Sequence, residues 1–240
     1  MIATMFATAS LPMYDWLEIR AATDAFWAGL ARHAGLVGEL TRNDAYDALW
    51  RDPALIFSQA CGYPFTHEFR DKLNYIATPH YEAEGCEGAK YSSFIFARSD
   101  QFKSGKPAIN SMDSMSGMLA LKLVFPTLAQ PLITGSHVAS LAAVQSGQAD
   151  VCAIDAVVVA LARRHRPHLL QGLHEIARSP LVPGLPFVTR SGDVTQLREA
   201  LRKAFADPSL ANAREAMMMT GFSILPTGAY DVILQREAEL

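Results

Sequence analysis

Two short stretches in the middle of the chain combine hydroxyls, a glycine and a histidine at places where we predict helices to begin. The first is Ser114-Met115-Ser116-Gly117, preceded by Asp113, and the second is Ser136-His137. Backbone N–H groups at a helix start lack intrahelical acceptors, and the helix dipole adds partial positive charge there. The serine hydroxyls supply further donors, and Gly117 removes a side chain that would hinder close approach. Together the two stretches predict a binding site for a small oxyanion.

Each of these residues also has a simpler interpretation. Asp113 or Ser114, and likewise Ser136, are favoured N-cap residues, and a cap stabilises a helix by about 1 kcal/mol without any ligand. Asp155 ends a predicted strand. It could hydrogen-bond a protonated ligand oxygen or His137, or it could cap the helix that we expect to begin at Ala156. The residue types alone leave both interpretations open.

The elements that would position these stretches alternate between strand and helix. Strands are predicted at 107–111, 131–134 and 149–155, and each is followed by an amphipathic or capped helix, at about 113–125, 136–147 and 156–166. In a parallel sheet, the helix starts lie at the carboxyl ends of the strands and face one crevice. We therefore expect the two stretches to lie close together.

The rest of the chain continues the same alternation. Further strands are predicted at 2–9, 54–60, 73–78, 91–98, 173–178 and 187–190, further helices at 15–34, 43–50, 193–206 and 209–220, and a last loop at 226–228. This pattern favours an α/β fold with a largely parallel sheet. A strand with polar ends at 91–98 and a proline-rich segment at 179–186, where the chain would cross back to the first lobe, indicate two lobes. The first lobe would comprise 1–92 and 183–240, and the second, 93–182, would carry the oxyanion clamp.

Composition and charge exclude several classes of protein. The 240 residues have a formal net charge of −3, whereas a nucleic-acid-binding protein usually has a basic surplus. No stretch of about 18 apolar residues indicates a membrane-spanning helix. The sequence contains no GxGxxG, GxxxxGKS or HExxH motif, so we expect no cofactor and no metal.

The cysteines and the N-terminus bear on the compartment. Cys61, Cys86 and Cys152 are an odd number without a CxxC pair, which is typical of reduced thiols. The first basic residue is Arg20, so the chain as given has no secretory signal and a cytoplasmic location is expected. A mature domain separated from its signal would begin in a similar way, and its location would then be periplasmic.

Several longer segments resemble a known family. They are NSMDSMSG at 110–117, GSHVASLAAVQSGQADVCAID at 135–155, SPLVPGLPFVTR at 179–190, ASLPMYD at 9–15, DPALIFSQACGYP at 52–64 and YSSFIFAR at 91–98. These segments are similar to the phosphate, phosphite and phosphonate substrate-binding proteins of ABC uptake systems, in a short branch without a signal peptide. The resemblance implies a type 2 periplasmic-binding-protein fold, with two α/β lobes and a ligand cleft between them.

The resemblance also implies ligand contacts. The family's hydroxyl-rich clamp falls on Ser114, Met115, Ser116 and Gly117, so that Met115 replaces one hydroxyl, and its ligand-binding histidine falls on His137. Aromatic residues from the first lobe correspond to Tyr14 and Tyr63. Carboxylates that hold a ligand amine in some members correspond to Val157 and Leu185 here. An apolar pair would leave an ammonium unpaired, so phosphate, phosphite or a simple phosphonate is expected rather than aminoethylphosphonate.

Three functions are compatible with this resemblance. The first is binding of a small oxyanion for an ABC permease. The second is a cytosolic relative that acts as a sensor, and the third is a cytosolic enzyme on the same bilobal fold that acts on a small anionic metabolite. A hydrolytic triad of Ser114, His137 and Asp155 is conceivable, but DSMSG does not match the GxSxG elbow of such nucleophiles. We therefore expect a binding protein without catalytic residues.

Overall fold

A computed structural model describes residues 7–42 and 45–240. Within these ranges the strands are β1 (Thr8–Ser10), β2 (Leu55–Gln59), β3 (Asn74–Tyr81), β4 (Cys86–Glu87), β5 (Lys90–Tyr91), β6 (Ser93–Ala97), β7 (Pro107–Ile109), β8 (Leu132–Ile133), β9 (Val151–Asp155), β10 (His174–Arg178), β11 (Val182–Pro183), β12 (Phe187–Thr189) and β13 (Met219–Ser223). The α-helices there are α1 (Arg20–His33), α2 (Tyr46–Arg51), α3 (Gly62–Thr66), α4 (Ala120–Val124), α5 (His137–Gln145), α6 (Ala156–His165), α7 (Val194–Ala206), α8 (Ala211–Ala216) and α9 (Asp231–Ala238).

Most of the predicted elements are confirmed within a few residues. Two predictions fall partly outside the described residues. Of the strand predicted at 2–9, only the last part is described, and β1 begins there at Thr8. Residues 43 and 44 of the helix predicted at 43–50 also lie outside the description, and α2 covers Tyr46–Arg51. Among the described residues, no helix has the length and apolar character needed to cross a membrane.

The chain divides into two compact units. Unit 1 contains the described residues up to Cys61 together with His67–Glu82 and Leu185–Leu225, and unit 2 contains Gly62–Thr66, Ala83–Gly184 and Pro226–Leu240. This division differs from the predicted lobes in three places, because 62–66, 83–92 and 226–240 all group with unit 2 rather than with unit 1. Contacts of α3 with α9 explain two of these differences. Gly62 faces Ile233, and the Phe65 ring meets the Tyr230 ring edge to face at 5.2 Å.

Unit 1 is built on a five-stranded sheet in the order β1-β2-β12-β3-β13. Helix α7 shows why its sequence folds against this core. The Asp193 carboxylate accepts a hydrogen bond from the backbone N–H of Gln196 and caps the helix, while Leu197, Leu201 and Ala204 repeat along the buried face at helical spacing. Phe26 and Leu30 of α1 are fully buried in the same apolar cluster.

Unit 2 is built on a second five-stranded sheet, in the order β10-β6-β9-β7-β8, and on a small sheet of β11, β5 and β4. Strand β7 lies between β9 and β8 and runs parallel to both. The carboxyl ends of these strands therefore lie at one edge, and the chain leaves β7 and β8 there to form the two stretches with hydroxyls and histidine. An apolar cluster that includes Ile95, Ile109 and Leu121 supports this part of the sheet.

The prediction of a largely parallel sheet is wrong in detail, because both large sheets are mixed. Strand β12 runs antiparallel to β2 and to β3, and β6 runs antiparallel to β9 and β10. The helix predicted at 209–220 is also too long. Helix α8 ends at Ala216, Met218 adopts a left-handed φ of 56°, and β13 follows and pairs with β3. The C-terminal helix α9 was not predicted.

Candidate functional site

The stretch after β7 begins its helix with a π turn. Ser114 has extended backbone angles, and its Oγ accepts a hydrogen bond from the Gly117 N–H at 2.9 Å. The Leu119 N–H donates to the Ser114 carbonyl at 3.0 Å, which closes a turn of five residues over Met115–Leu119 before α4 continues. Such turns are rare and frequently occur at functional sites.

The stretch after β8 begins α5 with an ordinary cap. Ser136 is extended, and its Oγ accepts from the Ala139 N–H at 3.1 Å. This leaves His137 as the first residue of the helix. Its imidazole Nε2 lies 2.9 Å from the Oγ of Ser116. The hydrogen bond joins the two helix starts directly, as expected from the strand order.

His137 is held in a neutral state. The residue as a whole is half-buried, but its Nδ1 is sealed from solvent and has no hydrogen-bond partner among the described residues. Burial lowers the pKa of His137 to about 4, and the nearby backbone of Ala153 partly opposes this effect. An imidazole that is neutral at physiological pH has one donor nitrogen and one acceptor nitrogen.

Gly117 and Asn110 are in close contact beneath the π turn. A Cβ built on Gly117 would lie 2.0 Å from the Oδ1 of Asn110, so no other residue fits at position 117 without a shift. The Asn110 Oδ1 is itself buried and has no hydrogen-bond partner among the described residues. Asn110 is not among the predicted site residues, although it begins the NSMDSMSG segment. A polar residue directly after a buried strand is the signal that could have identified it.

The remaining residues of the predicted clamp are buried. Ser114 and Ser116 are 3% and 6% exposed. The Met115 side chain is 1% exposed and packs in the interior, so only its backbone is able to contact a ligand. Met115 was predicted as a ligand contact from the resemblance alone, and the buried side chain limits that prediction to its N–H group.

Asp155 caps a helix. Its Oδ1 accepts from the N–H of Val157 at 2.8 Å and from that of Val158 at 3.4 Å, at the start of α6. Its charge lies near Cys86, where burial and then this carboxylate raise the thiol pKa to about 12. The three residues of the hydrolytic triad considered above have separate contacts. Asp155 caps α6, Ser114 caps the π turn, and His137 is hydrogen-bonded to Ser116 rather than to Ser114.

The two aromatic residues predicted from the first lobe lie in different units. Tyr63 is in unit 2, where its hydroxyl donates to the Glu237 carboxylate of α9 at 2.6 Å. Burial, followed by this hydrogen bond, raises the Tyr63 pKa to about 12. The assignment of Tyr63 to the first lobe is therefore wrong, because α3 packs against the C-terminal helix.

Tyr14 is in unit 1, at the carboxyl edge of its sheet. Its ring meets the Tyr81 ring edge to face at 5.3 Å, and the Tyr81 hydroxyl accepts a hydrogen bond from the Gln59 Nε2 at 3.0 Å. Leu185, which the resemblance placed at the ligand, is 5% exposed, and its carbonyl accepts from the same Nε2 at 3.1 Å. Val157 is 1% exposed in unit 2.

Comparison with known proteins identifies the family. Residues 70–225 match the family model of the periplasmic phosphonate substrate-binding proteins of ABC transporters. The chain belongs to this phosphonate-binding family. No curated protein gives a significant match to the sequence. The resemblance identified from the sequence segments is thus confirmed at the level of the family.

Solved structures confirm the two-lobe α/β fold of type 2 periplasmic binding proteins for this member of the phosphonate-binding family. Similar structures include PhnD1 from Prochlorococcus marinus in complex with methylphosphonate, which is 14% identical, has a TM-score of 0.76 and covers 97% of each chain. PA3383 from Pseudomonas aeruginosa, a binding protein component of an ABC phosphonate transporter, is 16% identical, has a TM-score of 0.77 and covers 96% of this chain and 85% of its own. XAC2383 from Xanthomonas citri bound to ATP is 19% identical, has a TM-score of 0.71 and covers 97% of this chain and 95% of its own. At these identities the similarity shows the fold alone.

Proposed function

We propose that this protein binds a small oxyanion, namely phosphate, phosphite or a simple phosphonate, at a clamp formed by Ser114, Ser116, Gly117 and His137. It would do so as the substrate-binding component of an ABC uptake system or as a cytosolic relative that acts as a sensor. The observation that carries the proposal is the 2.9 Å hydrogen bond between Ser116 Oγ and His137 Nε2, which joins two helix starts.

The helix starts support the proposal because they supply donors that need no rearrangement. The first N–H groups of a helix have no intrahelical acceptor. The caps use one of them at each start, through Ser114 and Ser136. The other first-turn amides remain for a ligand, together with the hydroxyl of Ser116 and the imidazole of His137. An oxyanion that leaves water needs several such hydrogen bonds in return.

Membership of a substrate-binding family favours binding over catalysis. A permease partner and a periplasmic location follow if the protein serves uptake, and a cytoplasmic location follows if it acts as a sensor. PhnD1 holds methylphosphonate, so this ligand is a suitable first probe.

Calorimetric titration with phosphate, phosphite, methylphosphonate, aminoethylphosphonate and sulfate tests the proposal. We expect one of the first three to bind most tightly. Ser116→Ala should weaken that binding roughly tenfold or more, since a hydrogen bond to a charged group contributes about 1.5–3 kcal/mol. Ser146→Ala is the matched control, because Ser146 caps the far end of α5 through the Ala143 carbonyl.

His137→Gln should weaken binding as well, and the loss should be larger at pH 6 than at pH 8. A bound anion favours the imidazolium, so a ligand raises the His137 pKa from its low value in the free protein. The ligand's own ionisation affects the wild type and the variant alike, so it cancels when their affinities are compared at the same pH. Absence of binding to every anion, or equal affinities of wild type and both variants, would refute the oxyanion clamp. Conversion of the ligand to a product would favour the enzyme alternative.

A further inference from the structure

The hydrogen bond between Ser116 and His137 has two possible directions. In a neutral imidazole one nitrogen carries a hydrogen and the other is an acceptor. Either the Ser116 hydroxyl donates to Nε2, or Nε2 donates to the Ser116 oxygen, and the distance of 2.9 Å fits both. The surroundings of Nδ1 decide which nitrogen carries the hydrogen, because Nδ1 takes no part in this bond.

Nδ1 of His137 lies in the interior of unit 2. It is sealed from solvent, and no residue that the structure describes hydrogen-bonds to it. Of the described backbone groups, that of Ala153 in β9 acts on the imidazole and raises its pKa, which favours the protonated ring. A carbonyl oxygen has this effect, since it attracts an N–H group and repels a lone pair. Nε2 is turned to Ser116, so this carbonyl acts on the Nδ1 side and favours a hydrogen on Nδ1.

With the hydrogen on Nδ1, Nε2 presents a lone pair to the clamp. In the ligand-free protein the Ser116 hydroxyl donates to this lone pair. When a ligand oxygen draws the hydroxyl towards itself, Nε2 needs another donor, because a buried acceptor that loses its partner costs free energy. A hydrogen on a ligand oxygen supplies that donor. A ligand without such a hydrogen sets its own lone pair against that of Nε2.

Among the described residues no charged side chain acts on the imidazole. Burial has the largest effect on the pKa of His137 and lowers it to about 4, so the imidazolium is costly to form near neutral pH. Strands β7 and β8 contain no titratable side chain. Asp155, at the end of β9, caps α6, and the charge of Asp113 acts on Tyr63. His168 lies at the other end of α5.

We infer that His137 is a specificity-determining residue that accepts a hydrogen bond, through Nε2, from a protonated oxygen of the ligand. The inference rests on the proposed function and narrows its ligand class to oxyanions that still carry a hydrogen near neutral pH. Phosphate, phosphite and phosphonates belong to this class, whereas sulfate and sulfonates are fully ionised there. A doubly ionised phosphonate forms the same complex only by taking up a proton, so its binding should weaken as this ionisation proceeds.

The test compares methylphosphonate with methanesulfonate at pH 6 by calorimetric titration. The two anions have the same shape and the same single charge at this pH, and they differ by one hydrogen on an oxygen. For the wild type we expect methylphosphonate to bind roughly tenfold to a hundredfold more tightly, the range of one hydrogen bond to a charged group. In His137→Gln the ratio should fall to about threefold or less, because a glutamine can turn either its acceptor or its donor to the ligand. Phosphate and sulfate serve as the pair if methylphosphonate does not bind.

His174→Gln is the matched control. It makes the same substitution in the same unit, at an exposed histidine of β10, and the ligand ratio should stay at the wild-type value. Nitrogen-15 NMR of the ligand-free wild type is a second measurement that depends on no variant. We expect it to show the hydrogen of the His137 ring on Nδ1. If His137→Gln does not fold, the wild-type ratio and this spectrum still decide the question.

Equal binding of the two anions by the wild type would overturn the inference and leave the proposed function intact. A preference that persists in His137→Gln would do the same, as would a hydrogen on Nε2 in the ligand-free protein. Binding of none of phosphate, phosphite and methylphosphonate would overturn the proposed function and this inference with it. The two failures are therefore distinguishable in one set of titrations.

Discussion

The buried imidazole of His137 should make the ligand-free protein less stable as the pH falls below neutrality. Its pKa is about 4 in the folded protein, whereas an ordinary histidine has a pKa of about 6.5. Because the folded-state pKa is lowered, the unfolded chain takes up the proton first as the pH decreases. His137 therefore leaves stability unchanged above about pH 7 and lowers it progressively between about pH 6.5 and pH 4.

The magnitude follows from these two pKa values. At pH 5, about 97% of an ordinary histidine is protonated in the unfolded chain, against about 9% of His137 in the folded protein. Linkage converts this difference into a loss of about 2 kcal/mol in the free energy of unfolding between pH 8 and pH 5. This is a large part of the stability of a typical domain, so the effect is measurable.

Urea unfolding of the ligand-free protein at pH 5, 6, 7 and 8 provides the assay. The His137→Gln variant should lose about 2 kcal/mol less than the wild type between pH 8 and pH 5. His174→Gln is the control for the removal of an imidazole, since this histidine is exposed on β10 and has no part in the clamp. Parallel pH profiles of wild type and His137→Gln would refute the neutral, buried imidazole. The imidazole would then be charged or hydrated in the ligand-free protein.

Two further predictions concern the groups around the clamp. Gly117→Ala should destabilise the protein by about 1–3 kcal/mol and weaken oxyanion binding, because its Cβ would meet the Asn110 Oδ1 at 2.0 Å. When Asn110→Ala is added to the same chain, thermal unfolding and titration should show that part of both losses is restored. Additive losses in the double variant would contradict the contact. Asp155→Ala should lower the free energy of unfolding by about 1–2 kcal/mol through loss of the α6 cap, and Asp155→Ser should retain most of the wild-type stability. Equal stability of the wild type and both variants would contradict the cap.

The sequence predicts the strands and helices around the clamp because their signals are local. Ser136, followed by an apolar helical segment, marks the start of α5, and the apolar run 149–155 marks β9. The proximity of Ser116 and His137 also follows from the sequence, through the rule that consecutive strands and helices place helix starts at one edge. The π turn does not follow from it. No residue of Met115–Leu119 carries a local signal for a five-residue turn, and the burial of Met115 within it depends on tertiary contacts.

The errors arise where distant segments decide the structure. Nothing local distinguishes the methionines at 217–219 as the end of a helix and the start of a strand, since β13 forms only by pairing with β3. Tyr63 joins unit 2 because of its bond to Glu237, which lies 174 residues away. Gln59 carries no motif, and its hydrogen bonds to the Tyr81 hydroxyl and the Leu185 carbonyl depend on residues that are distant in the sequence.

The two interpretations that the sequence left open for the polar residues apply to different residues. Ser114, Ser136 and Asp155 each accept hydrogen bonds from their own helix start, so their side chains are explained by capping. Ser116 and His137 are not needed for capping, and yet they are brought together at two helix starts, with a cost in pH-dependent stability. A residue that stabilises the fold requires no further function to explain it. A buried neutral histidine that lowers stability in mild acid is better explained by a ligand, and the binding assays on Ser116 and His137 therefore test the function of this site more directly than any change in the caps.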